Sequence, residues 1–266
     1  MAPGALNYSP SNNISLLADA ADCYRRSIPW NGKFLIPPPL SSDEMKSLRV
    51  LQDLALVPEG KSCALIIRHA DRDGQVDRLV PKDESLNETG RRRATELGKA
   101  LKRFDLLRLL SSPIGRCVET CERISEGYGE KVEVETTEFL GMRCPTMLKP
   151  DEAYRLMGSM GLYSFTESYV AGKLDPKVVR SCEEGAKMLF HYAIESIRHK
   201  DNLVTVIVTH DMLITPAMVK YFGFDVRKAG LVPFLDGMVL YSSDYGYRVA
   251  HENRILKVTK EGEPKP

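Results

Sequence analysis

The sequence predicts an α/β domain: a mostly parallel central sheet with helices on both faces and an inserted helical cap. Three observations carry that expectation. Short apolar or β-branched runs alternate along the chain with helix-period segments, the order that builds strand-helix-strand units. The runs are continuously apolar, as strands buried on both faces are. Capping residues open the intervening helix patterns, so the two kinds of element are separated by real boundaries.

The elements follow in order. Residues 1–60 read as a helical extension: "ISLLADAADCYRRSI" has helical apolar spacing, and "FLIPPPLSSDEMKSLRVLQDLALVPEG" holds a proline break, a Ser41-Ser42-Asp43 cap and a second helix. The main domain is expected over 61–256. Its strand runs are "SCALIIRH" (62–69), "LLRLLSS" (106–112), "KVEVET" (131–136), "NLVTVIVTH" (202–210), "GMVLYSS" (237–243) and "YRVAHENRI" (247–255). Between them, "NETGRRRATELGKALKRF" follows an Asn87 cap, and "SPIGRCVETCERISEGYG" opens on Ser-Pro and closes on glycines. "SCEEGAKMLFHYAIESIRHK" opens on the capping box Ser181-x-x-Glu184. The Met-, Tyr- and Gly-containing stretch 143–176 lacks a strand signal and is the expected cap, and 257–266 reads as a disordered tail.

Composition narrows the function classes. With 266 residues, 43% hydrophobic and 27% charged, one large globular domain is expected. A net charge of +1 argues against nucleic acid or a membrane surface as partner, so anion recognition should be local. The six cysteines (Cys23, Cys63, Cys117, Cys121, Cys144, Cys182) are scattered and read as reduced thiols. Cys117 and Cys121 share a helical face, but with no second pair they make a poor metal site. The N-terminus lacks a signal-peptide pattern and no run approaches a membrane span, so a cytoplasmic protein is expected. Nothing in the chain fixes an oligomeric state.

Open α/β sheets bind ligands beyond the carboxyl ends of their strands. Three such ends carry chemistry: "RHADR" after the first strand, "SSPIGR" after the second and "THD" after the strand at 203–208. Together they offer Arg68, His69, Arg72, Arg116, His210 and Asp211. Arginine forks match phosphate oxygens and stay charged at any relevant pH. The same cations hold an imidazole neutral, and a neutral imidazole among arginines is a nucleophile for phosphorus.

These segments resemble the histidine phosphatase superfamily, which includes the cofactor-dependent phosphoglycerate mutases, acid phosphatases and phytases. The resemblance rests on Arg68-His69-Ala70 at the first strand end (glycine is usual where Ala70 stands), on "SLNETGRRRATELGKAL", on "LLSSPIGRCVET" and on "VIVTHD", and it covers about residues 61–256. It implies a three-layer α/β/α, phosphoglycerate mutase-like fold. It also implies that His69 takes the phosphoryl group and that Arg68, Arg72, Arg116 and His210 form the phosphate pocket. Two carboxylates are available as proton donor: Asp211, as in the acid phosphatase branch, and Glu138 of "ETTEFLG", near the place where the mutase-like branch has a glutamate.

The expected activity is a metal-independent phosphatase acting on a phosphorylated small molecule or peptide side chain, with no cofactor. A phosphomutase would need a second anion site, for which Arg143, Lys149 and Arg155 are available, and a non-catalytic phospho-ligand module would keep the pocket without turnover. A metal-dependent His-Asp dyad is disfavoured because a cation site should not be ringed by arginines. Taken singly, Arg72 has a plainer role in a salt bridge with Asp71 or Asp73. His191, His199 and His251 are expected to be structural or solvated. Trp30, Tyr154, Tyr163 and Phe165 are candidates for lining a substrate pocket or packing a core.

Overall fold

The computed structural model describes residues 48–74, 84–141 and 143–265. The chain divides into two units, 1–38 and 39–266. The first helix pattern, Trp30 and the Ser41-Ser42-Asp43 cap lie outside the described residues. Within the larger unit the strands are β1 (Cys63–Arg68), β2 (Leu106–Ser111), β3 (Val134–Thr136), β4 (Leu203–Thr209), β5 (Gly237–Ser243), β6 (Gly246–His251), β7 (Arg254–Val258) and β8 (Pro264–Lys265). The helices are α1 (Val50–Leu54), α2 (Glu88–Ala100), α3 (Gly115–Tyr128), α4 (Pro150–Met160), α5 (Leu162–Val170), α6 (Cys182–Ile197), α7 (Asp211–Ala217) and α8 (Val226–Ala229).

One sheet runs β3-β2-β4-β1-β5-β6-β7-β8. The half β3-β2-β4-β1 is parallel, so the carboxyl ends of β1, β2 and β4 point the same way. β5 joins β1 antiparallel and begins a meander to the far edge. The apolar runs of the sequence have a simple cause. Along β1, Ala64 and Ile66 pack into the core on one face, while Cys63, Leu65 and Ile67 pack into the core on the other. Both faces need apolar side chains, so no polar residue interrupts the strand. Helices α1, α2 and α3 cover the second face; α6, α7 and the cap helices α4 and α5 cover the first. This is the three-layer arrangement expected.

Boundaries differ from expectation in three places. Residues 48–60 are built into the domain: Leu48, Val50, Leu54 and Val57 share a core with β1. Buried Asp53 accepts hydrogen bonds from the backbone N–H groups of Glu252 and Asn253 at 3.0 and 3.1 Å. The run "YRVAHENRI" is a hairpin instead of one strand, because Glu252 and Asn253 both adopt positive φ, the geometry of a tight two-residue turn. The end of the chain, expected to be disordered, folds back as β8 on β7, with Lys187 and Glu263 forming an ion pair.

Helix ends follow the sequence more closely. Asn87 accepts from the Gly90 N–H at 2.8 Å, and Ser181 with Glu184 forms the full capping box. α3 starts at Gly115, with Ser112 Oγ accepting from the Ile114 N–H at 3.3 Å just before it. Packing of α2 on α3 depends on missing side chains. A Cβ on Gly98 would lie 2.1 Å from the Ile124 carbonyl oxygen, and one on Gly127 would lie 1.9 Å from that of Thr95. At the N-terminal end of α2, a Cβ on Gly90 would lie 2.2 Å from the Asp71 carbonyl oxygen. That glycine is what lets the helix close on the loop following His69.

Candidate active site

β1 delivers Arg68 and His69 to the carboxyl edge of the sheet. The ladder holds them there: the Arg68 N–H donates to the Asp236 carbonyl and the His69 N–H to the Thr209 carbonyl, both at 3.0 Å. Thr120 on α3 then ties the loop to the helix. Its Oγ1 accepts from the Ala70 N–H at 3.0 Å and donates to the Arg116 carbonyl at 2.7 Å. A single threonine therefore sets the distance between His69 and Arg116.

The partners of the His69 ring assign its tautomer. Nδ1 lies 2.8 Å from the Ala70 carbonyl oxygen, which can only accept, so Nδ1 carries the proton. Nε2 lies 3.1 Å from Arg116 Nε, which can only donate, so Nε2 presents its lone pair. Burial, reinforced by Arg68, His210 and Arg116, holds the His69 pKa well below the ordinary histidine range. His210, reached from the end of β4, stands with its ring centroid 5.6 Å from that of His69. Its Nε2 lies 3.0 Å from Ser112 Oγ and 3.6 Å from Cys117 Sγ. Burial, then Arg116 and Arg68, lowers the His210 pKa to about 3. Both imidazoles are neutral at pH 7.

Positive charge surrounds them. Arg68 is buried, donates from Nη1 to the Val232 carbonyl, and lies with its guanidinium carbon 4.2 Å from the Phe234 ring centroid. Its Nη2 is 3.6 Å from Asp211 Oδ2. Arg72 donates to the Asp73 carbonyl at 2.9 Å and pairs with Glu84 at 3.2 Å. The expected bridge from Arg72 to the carboxylates of Asp71 or Asp73 gives way to Glu84, because Asp71 is engaged by Arg93 at 2.6 Å. Asp211, the first residue of α7, accepts from the Met212 N–H through Oδ1, while its buried Oδ2 has no hydrogen-bond partner.

A cavity of about 210 Å³ opens onto this cluster, lined at one end by Arg68, His69, Arg72, Arg116, His210 and Asp211. The structure thus brings together six of the seven residues singled out in the sequence. Glu138, in the short turn after β3, is exposed and outside the lining; its Oε2 approaches Gly141, which does line the cavity. The rest of the lining is mostly apolar. Arg143, Lys149 and Arg155 are exposed and contribute nothing to it: Lys149 pairs with Glu152, and Arg155 donates to the Asp151 carbonyl. Among the described residues no group of three or more His, Cys, Asp and Glu side chains has a metal-holding arrangement, and no helix is long and apolar enough to cross a membrane.

His191 Nδ1 lies 3.2 Å from the Lys260 carbonyl oxygen and His251 Nδ1 donates to the Gly237 carbonyl at 2.8 Å, both away from the cavity. Phe165 is core, while Tyr154 lines the cavity. Thr120 closes the quoted segment "LLSSPIGRCVET", but the sequence alone assigned it no role. Phe234 carried no signal, since only the strand order brings it to Arg68.

Residues 64–141 match the family model of the histidine phosphatase superfamily (branch 1). No curated protein sequence matches the chain. Among solved structures, Bacillus stearothermophilus YhfR superposes with a TM-score of 0.50 at 19% identity, over 75% of this chain and 99% of that one. A phosphoglycerate mutase from Bacillus anthracis str. Sterne has a TM-score of 0.48 at 19% identity, over 72% of this chain and 92% of its own. A mycobacterial glucosyl-3-phosphoglycerate phosphatase has 0.46 at 20% identity, over 71% and 96%. The family-model match covers the segment that holds Arg68, His69, Arg72, Arg116 and Glu138, and the likeness to YhfR concerns the α/β fold.

Proposed function

We propose that the chain is a metal-independent phosphatase that hydrolyses phosphomonoesters through a phosphohistidine on His69. The observation that carries this reading is the tautomer: Nε2 holds its lone pair inside the arginine cluster while Nδ1–H is tied to a backbone carbonyl. A phosphate dianion engaging Arg116 takes over the N–H now directed at Nε2 and leaves that lone pair facing phosphorus. Nε2 attacks, the P–N bond forms and the bond to the ester oxygen breaks. Arg68, Arg72, Arg116 and neighbouring His210 supply the donors for the equatorial oxygens, so the charge is met by guanidinium groups instead of a metal ion. Water then attacks phosphorus and gives its proton to the carboxylate that had protonated the leaving oxygen, the P–N bond breaks, and His69 returns to its starting form with release of inorganic phosphate.

Asp211 is the proton donor in this scheme. It shares the cavity with His69, and its Oδ2, with no hydrogen-bond partner, is the oxygen that would pass a proton to the leaving oxygen. One observation favours Glu138 instead: the family match ends at Gly141, so it includes Glu138 and stops short of Asp211. Leaving-group chemistry separates the two. An alkoxide must be protonated as it departs, whereas 4-nitrophenolate leaves unaided. Asp211→Asn should lower kcat on alkyl phosphates by about 10²–10⁴-fold and spare 4-nitrophenyl phosphate, with Glu138→Gln nearly silent. The opposite pattern assigns the role to Glu138.

Hydrolysis is favoured over mutase chemistry because the described residues set no second group of cations on the cavity wall. The five described cysteines are free thiols, which suits work in the reducing cytoplasm. The reaction itself is tested by mixing enzyme with a phosphorylated substrate and quenching in alkali. Acid-labile phosphate on the protein and stoichiometric free phosphate are expected. Transfer of the phosphoryl group to a second substrate molecule without phosphate release would replace hydrolysis by mutase activity.

A further inference from the structure

Beyond the arginine end, the cavity is walled by Ile114, Leu140, Met147, Met157, Leu162 and Leu213. The Tyr154 ring joins them, and the one thiol in this part, Cys144, is 2.9 Å from Thr146 Oγ1. Among the described residues no lysine, arginine or carboxylate lines this region apart from the cluster around His69. A substrate whose alcohol carries a carboxylate or a second phosphate would desolvate that charge against methionine and leucine with no cation among the described residues to meet it, a heavy penalty. A neutral hydrocarbon group gains there, and methionine side chains adapt to its outline. A dry cavity of roughly 150 Å³ holds benzene, so about 210 Å³ accommodates a phosphoryl group with one ring or a branched chain of similar bulk.

We infer that this site takes monophosphate esters of compact, uncharged, apolar alcohols and discriminates against phosphoesters bearing a second anionic group. The inference rests on the phosphatase reading for turnover, but the pocket chemistry stands on the wall residues alone. Isopentyl phosphate and glycerol phosphate make a fair comparison, since both release a primary alcohol. Each methylene newly buried is worth about fourfold, so kcat/KM should favour isopentyl phosphate by about a hundredfold, and phosphoglycerate should be poorer still. Met147→Lys and Leu162→Gln, which place a charge or an amide in the wall, should each narrow the ratio at least tenfold.

Calorimetric titration of the wild-type protein with pentylphosphonate and with carboxyethylphosphonate reads the pocket without chemistry and without a variant that might misfold. The apolar phosphonate should bind at least tenfold tighter. Equal or better turnover of glycerol phosphate or phosphoglycerate, or equal binding of the two phosphonates, overturns the inference and leaves the phosphatase reading intact. Preferential binding of pentylphosphonate with no ester hydrolysed sustains the inference and overturns the phosphatase reading.

Discussion

If the proposed reaction holds, His69→Ala should lower phosphatase turnover by roughly 10⁵-fold or more, the scale seen when a covalent nucleophile is removed. The expectation follows from geometry. Nε2 is an uncharged nucleophile directed at Arg116, and His210, although close, has its Nε2 against Ser112 and Cys117. The acid-labile phosphate trapped on wild-type protein should vanish in the same variant. Loss of turnover must be separated from loss of fold, because His69 is buried at a strand end. His69→Asn keeps a polar side chain there and should be equally inactive while unfolding near the wild-type temperature. Turnover within tenfold of wild type in either variant would exclude His69 as the nucleophile.

The same environment fixes the pH dependence. Protonation would consume the Nε2 lone pair, but the His69 pKa is held well below the ordinary value of 6.5. Activity should therefore persist as pH falls through 6.5, with no inflection there from the nucleophile. Stability behaves differently. Below pH 6.5 the unfolded histidines bind protons that folded His69 and His210 do not, so each contributes a loss of about 1.4 kcal/mol per pH unit as pH falls towards its folded pKa. Chemical denaturation between pH 7 and 5 should show a steeper fall for wild type than for the His69→Asn and His210→Asn variants.

Gly127→Val should cost at least about 3 kcal/mol and deprive the site of Arg116 together with Thr120. A Cβ at this position would meet the Thr95 carbonyl oxygen at 1.9 Å, and backbone cannot yield as a flexible side-chain tip does. Reciprocal contact at Gly98 with Ile124 leaves no direction in which the helices slide to make room. Since α3 carries Arg116 at its start and Thr120 one turn later, separating it from α2 opens the loop that holds His69. Glu122→Val, on the exposed side of the same helix, is the control and should stay within about 0.5 kcal/mol. Equal denaturation midpoints for the two variants would show that the helix pair tolerates separation.

By itself the sequence determined the strands of the parallel half, the caps of α2 and α6, and the three strand ends where the arginines and histidines stand. These are local properties. An apolar run buried on both faces, an Asn or Ser cap and a residue just past a strand end are all written within a dozen residues. Sequence could not place the end of the chain as β8 on β7, because a two-residue edge strand draws its definition from a partner. Nor did it separate the two candidate acids. Asp211 enters the cavity because β4 lies between β1 and β2, and Glu138 stays outside because β3 is the edge strand beyond β2. Only the tertiary structure decided the apolar wall, since its methionines and leucines come from segments that meet over the sheet. Its chemistry is set by which side chains share a space, and that is a property of packing, not of spacing along the chain.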